Sequence, residues 1–237
     1  IIDDQWPLRL DVLSAWENER QSGETVIWFS LDGFFGFPRQ LFGIEDHFYA
    51  LYDYPELIRR INQDSVDYHL KLIERICSVC RPSFMSFFED MSYNHGPMLS
   101  REQFDAFMLP FYRQVVPALE SHGIVPLIDS DGDITTAVPW FADAGVHGIL
   151  PLEKQAGVDL AAIRKKHPRF RAIGHFDKLV MHQGDDALDA EFQRLEPIAR
   201  QGGFLPSVDH QTPPAVSLDQ YRSYVAKLKA FARSAHP

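Results

Sequence analysis

Short apolar runs alternate with longer stretches of helical periodicity, and no other feature of this chain constrains its fold as much. A strand covered on both faces needs only about four to eight apolar residues, whereas a core-facing helix repeats its apolar positions every three or four. Runs at residues 25–30, 83–88, 125–128, 148–152, 171–173 and 203–206 have the first form. The last four each follow a helical pattern and a short turn, the signature of βα units feeding a parallel sheet.

The intervening helices are marked at their ends. Residues 54–79 carry Leu57, Ile58, Ile61, Val66, Leu70 and Ile73 at helical spacing, with Pro55 suited to the first turn. Ser100 and Gln103 form a capping-box pair ahead of Phe104, Phe107, Met108 and Phe111, and Pro110 predicts a kink or split there. Gly123 ends the next helical run, and Ser217 opens a final helix over 218–232. With no internal repeat or low-complexity tract, a single domain over residues 1–237 is expected.

A closed parallel barrel takes eight strands and about 250 residues. Six βα units are visible, so the expected fold is a (β/α)8 TIM barrel lacking its first two βα units in this chain. An open doubly wound sheet would carry a glycine-rich phosphate turn after its first strand. The segment Gly33-Phe34-Phe35-Gly36-Phe37 is too aromatic and too short for that task. The run at 25–30 should therefore have an open edge that invites pairing with another chain, such as a second copy in a homodimer.

Charge narrows the partners. The formal net charge is -10 and the pI near 5.4, with Lys and Arg scattered, which argues against nucleic acid and against anionic membranes and leaves a small molecule. No apolar run reaches about 18 residues, so the protein is read as cytoplasmic. Cys77 and Cys80 close an apolar helical run and read as buried helix cysteines rather than half a zinc site.

Polar residues gather just past the strand ends, where a barrel builds its active site. They are Glu89, Asp90 and Tyr93 after the second run; Asp129, Asp131 and Asp133 after the third; Glu153 after the fourth; His175, Asp177 and Lys178 after the fifth; and Asp209 and His210 after the last. Crowded carboxylates raise one another's pKa, so a cation or a basic partner such as Lys178 is expected among them. The competing reading makes Asp129, Asp133 and Asp209 helix N-caps. His47 reads as packing against Phe48 and Tyr49, and His95 and His182 as solvated.

Several segments together resemble the uroporphyrinogen decarboxylase superfamily, which holds both the decarboxylase of haem synthesis and corrinoid-linked methyltransferases. They are Phe88-Glu89-Asp90-Met91, Leu99-Ser100-Arg101-Glu102-Gln103-Phe104, Leu150-Pro151-Leu152-Glu153, Ala156-Gly157-Val158-Asp159-Leu160, Ile173-Gly174-His175-Phe176-Asp177-Lys178 and Gly202-Gly203-Phe204-Leu205-Pro206. The resemblance implies a (β/α)8 barrel whose visible strands are the third to eighth. It also implies that methyltransferase zinc ligands, a His-x-Cys pair and a later Cys, correspond to Asp129, Asp131 and His210. A harder O/N set of this kind still suits Zn²⁺ or another divalent ion. The decarboxylases instead have a histidine after the last strand, which His210 matches equally.

The resulting expectation is a methyltransferase of one-carbon metabolism that passes a methyl group from a small methylated or methoxylated compound to a corrinoid protein or similar acceptor. Metal at Asp129, Asp131 and His210 would polarise the donor. His210, Glu89, Asp90 and Glu153 would serve catalysis, and Phe35, Phe37, Tyr93, His175 and Asp177 would contact substrate. A porphyrinogen decarboxylase and a non-catalytic small-molecule-binding paralogue are the alternatives.

Overall fold

The computed structural model describes residues 7–235. In chain order the elements are α1 (Pro7–Gln21), β1 (Trp28–Asp32), α2 (Gly36–Phe42), α3 (Ile44–Asp53), α4 (Pro55–Cys77), β2 (Phe84–Phe88), the short strands β3 (Ser92–Tyr93) and β4 (Gly96–Pro97), α5 (Arg101–Phe107) and α6 (Leu109–Ser121). Then come β5 (Val125–Asp129), α7 (Val138–Asp143), β6 (Gly148–Leu152), α8 (Leu160–Lys166), β7 (Arg171–Phe176), a 3₁₀ turn (Lys178–Val180), α9 (Asp185–Ala199), β8 (Phe204–Val208) and α10 (Leu218–Ser234). This is an α/β fold with parallel strands joined through helices, and each expected strand is present. The residues group into two compact units.

The first unit comprises the described residues up to Asp90 with Leu99–Ile128 and Trp140–Val146. Its strand order is β1-β2-β5, and β1 pairs in parallel with β2 from Trp28↔Phe84 to Asp32↔Phe88. Among the described residues β1 has no partner on its other side, as its sequence context predicts. The core is aromatic: Phe34 packs edge-on against Tyr112 at 5.0 Å and lies 5.9 Å from Phe87. Each such buried ring contributes roughly 1.5–3 kcal/mol. The buried Asn62 of α4 donates through Nδ2 to the Phe34 and Phe107 carbonyls, tying the helix to both neighbours. Ser100 and Gln103 form the anticipated capping box, and the helical run breaks at Met108, just before Pro110. Cys80 is buried and Cys77 half-buried, and burial raises both thiol pKa values, that of Cys77 to about 11, so neither is a ready thiolate.

The second unit comprises Met91–Met98, Asp129–Pro139 and the described residues from His147 onward. Its long strands lie in the order β6-β7-β8. β7 runs three residues past its expected end, to Phe176, and β8 ends two residues later than expected, at Val208. Their register pairs Phe176 with Val208, so Asp177 and Asp209 leave the sheet side by side. Phe176, Phe192 and Tyr224 pack beneath them, with Phe176 4.8 Å from Phe192 and 4.9 Å from Tyr224. No helix among the described residues is long and apolar enough to cross a membrane.

Candidate active site

In the first unit the expected site residues are engaged in structure. Glu89 is fully buried just after β2. Its Oε1 accepts from the Phe34 N–H and the Tyr112 hydroxyl, and its Oε2 accepts from the N–H groups of Phe35 and Gly36, at 2.8 Å for each backbone bond. The loop entering α2 is thus an anion nest, and the anion is the chain's own carboxylate. Burial still pushes the Glu89 carboxyl upward, against the pull of these donors. Asp90 adopts φ 47, and its Oδ2 accepts from Arg39 at 2.9 Å while its carbonyl accepts from the same guanidinium.

Glu89 and Asp90, expected to serve catalysis, both hold the loops around β2 together through these bonds. Phe35, expected to wall a substrate pocket, is 1% exposed and packs edge-on at 4.9 Å against His47, itself a packing residue as anticipated. Phe37 does line an apolar cavity of about 420 Å³, with Asp32, Leu41, Tyr68 and His69 among its walls.

The second unit assembles a polar cluster beyond β6, β7 and β8. Asp131 and His210 approach within 3.4 Å, Oδ2 to Nε2, and both remain partly open to solvent. The Gly132 N–H donates to Glu153 Oε2 at 2.8 Å. That bond requires the tight turn at Gly132, where φ is 82 and a Cβ would meet the Tyr93 carbonyl oxygen at 2.8 Å. Lys178 Nζ then lies 3.7 Å from Glu153 Oε1 and 3.7 Å from Asp209 Oδ1.

Asp209 is fully buried, with Oδ2 accepting from the Lys154 N–H at 2.9 Å and Oδ1 without a hydrogen-bonded partner. It ties Lys154 and Lys178 rather than capping a helix. Burial raises its pKa and the Lys178 charge opposes that rise. Asp177 caps the turn that carries Lys178, its Oδ1 accepting from the Leu179 N–H at 2.9 Å and from Gln155 at 2.6 Å.

His175 lies inside β7, is 2% exposed, and is held down to about pKa 4 by burial first and then by Arg194. Arg194 is itself committed to Glu191 at 2.6 Å and to the His175 carbonyl at 2.7 Å. Tyr93 projects into solvent, 66% exposed. The metal triad is not assembled: among the described residues no three His, Cys, Asp or Glu side chains are grouped to hold an ion. Asp131 instead faces His210 directly, while Asp129 ends β5. The donor set implied by the methyltransferase branch is thus not gathered among the described residues.

The family model for uroporphyrinogen decarboxylase matches residues 40–231. No curated protein matches the chain in sequence. Among solved structures the fold is similar to that of a methyltransferase from Methanosarcina mazei, with a TM-score of 0.70 and 14% identity. That similarity covers 96% of this chain, which spans 65% of the other.

Proposed function

The chain belongs to the uroporphyrinogen decarboxylase family, and from that premise we propose that it is a methyltransferase-type enzyme acting on a small methylated or methoxylated compound. The observation that carries this reading is the charge of the cluster in the second unit. Asp131, Glu153 and Asp209 surround Lys178 and His210, and Arg194 is already engaged. Such a cluster repels a polycarboxylate and suits a neutral or weakly polar donor. The family implies a (β/α)8 barrel as scaffold, and this chain has the α/β fold with a six-stranded sheet that the reading requires.

Chemically, the methyl carbon leaves its heteroatom as a bond forms to the acceptor, a corrinoid protein or comparable nucleophile. The bonding pair stays on the heteroatom, which then needs a proton. His210, which faces Asp131, supplies it as general acid. Glu153 orients the cluster through Gly132 and Lys178.

A second reading rests on the same histidine. A proton held by His210 after the last strand would also serve the carbanion left when CO₂ departs, as porphyrinogen decarboxylation requires. The deciding experiment incubates the protein with reduced cobalamin and a panel of O-methyl and N-methyl donors, following methylcobalamin by absorbance, and in parallel with uroporphyrinogen, following CO₂. Methylcobalamin formation without CO₂ supports methyl transfer; CO₂ release alone overturns it.

A further inference from the structure

We infer that Lys178 reads a neutral oxygen on the substrate, so that the donor is a methoxylated compound rather than a methylated ammonium or a carboxylate. This rests on the methyl-transfer reading and specifies its substrate class. Three observations carry it. First, Lys178 is built in: Asp177 caps the turn on which it sits, and the β7–β8 register brings Asp209 beside it. Second, its ammonium lies 3.7 Å from both Glu153 and Asp209, longer than a hydrogen bond, so its donors are left for a third group. Third, Asp209 is 0% exposed with an unbonded Oδ1, which holds the cation from behind while 17% of the Lys178 side chain stays open.

The chemistry of that arrangement is selective. An ammonium offers only donors, so the group that meets it must bring a lone pair, which an ether or phenol oxygen has and a quaternary ammonium lacks. With two carboxylates beside one ammonium the group is net negative, so a free carboxylate is disfavoured as well. A neutral ether or phenol oxygen is the group that satisfies both conditions.

The test measures dissociation constants by titration calorimetry for three ligands of similar size: 2-methoxyphenol, phenyltrimethylammonium and benzoate. The wild-type chain should bind 2-methoxyphenol at least about tenfold more tightly than either of the others. Lys178→Met should erase the preference over phenyltrimethylammonium while benzoate stays weak. Because this change leaves Asp209 buried without its cation, the double variant Lys178→Met with Asp209→Asn is measured beside it and should show the same loss. Tightest binding of the ammonium or of benzoate by the wild type, or an unchanged preference in both variants, overturns the inference. Methyl transfer from phenyltrimethylammonium but not from 2-methoxyphenol also overturns it while leaving methyl transfer standing. The expected binding preference with no methyl transfer from any donor overturns the functional reading and leaves the oxygen subsite standing.

Discussion

A Cβ added to Gly33 would lie 2.0 Å from the Glu89 side-chain carbon Cδ, so the loop before α2 closes around that carboxylate only because residue 33 has no side chain. Glu89 has no room to retreat, since both of its oxygens are already bonded to that loop and to Tyr112. Gly33→Ala is expected to lose about 1–3 kcal/mol or more by overpacking. Glu89→Gln sets an amide NH₂ against N–H donors and should lose about 1–3 kcal/mol. Urea unfolding midpoints check both. Unchanged midpoints would mean that the nest is not a structural element.

Acid sensitivity follows from the buried histidines. His47 is 1% exposed, neither ring nitrogen has a hydrogen-bonded partner, and burial first, then Arg39, takes its pKa from 6.5 to about 4. Burial does the same for His69. The unfolded chain gains a proton below pH 6.5 that the folded ring refuses until about pH 4. The stabilisation is therefore full above that window and is lost as pH falls through it. Each such ring contributes a slope of up to about 1.4 kcal/mol per pH unit. His47→Phe keeps the packing on Phe35 and should flatten the loss between pH 6.5 and 4 relative to wild type. Parallel stability curves for the two proteins would show that His47 titrates normally.

The Lys178–Asp209 pair should couple in stability as well as in binding. Lys178→Met alone strands a carboxylate that is fully buried, at a cost of about 3–5 kcal/mol. Adding Asp209→Asn removes the stranded charge, and the double variant should recover at least about 1 kcal/mol relative to the single one. Strictly additive losses in denaturant titrations would contradict an ion pair that holds the turn after β7.

Much of the fold was legible because it rests on local rules. Period and length marked each strand, Ser100 and Gln103 marked a cap, and Pro110 marked a break. The failures lie where partners are distant in sequence. Glu89 read as chemistry because it follows a strand, yet the N–H groups that bury it come from residues 34–36, more than 50 positions earlier. His175 read as a rim residue because β7 was expected to stop at Ile173, and its continuation to Phe176 turns the ring inward. Asp209 reads as a rim carboxylate or, in the competing reading, a cap, and only the β7–β8 register and the Lys154 N–H reveal it as an anchor. Lys178 was visible as a charge in the right segment, but its two carboxylate neighbours come from other strand ends.

The central claim is that His210, facing Asp131, carries the proton of the proposed reaction. The most direct measurement compares methyl transfer from 2-methoxyphenol to reduced cobalamin in the wild type and in three single variants, with 2-methoxyphenol binding measured alongside. His210→Asn should lower the transfer rate by at least about a hundredfold while changing binding by no more than a fewfold. His95→Asn and His182→Asn, at exposed positions, should stay within a fewfold of wild type. A His210→Asn enzyme that transfers methyl at close to the wild-type rate would contradict the account.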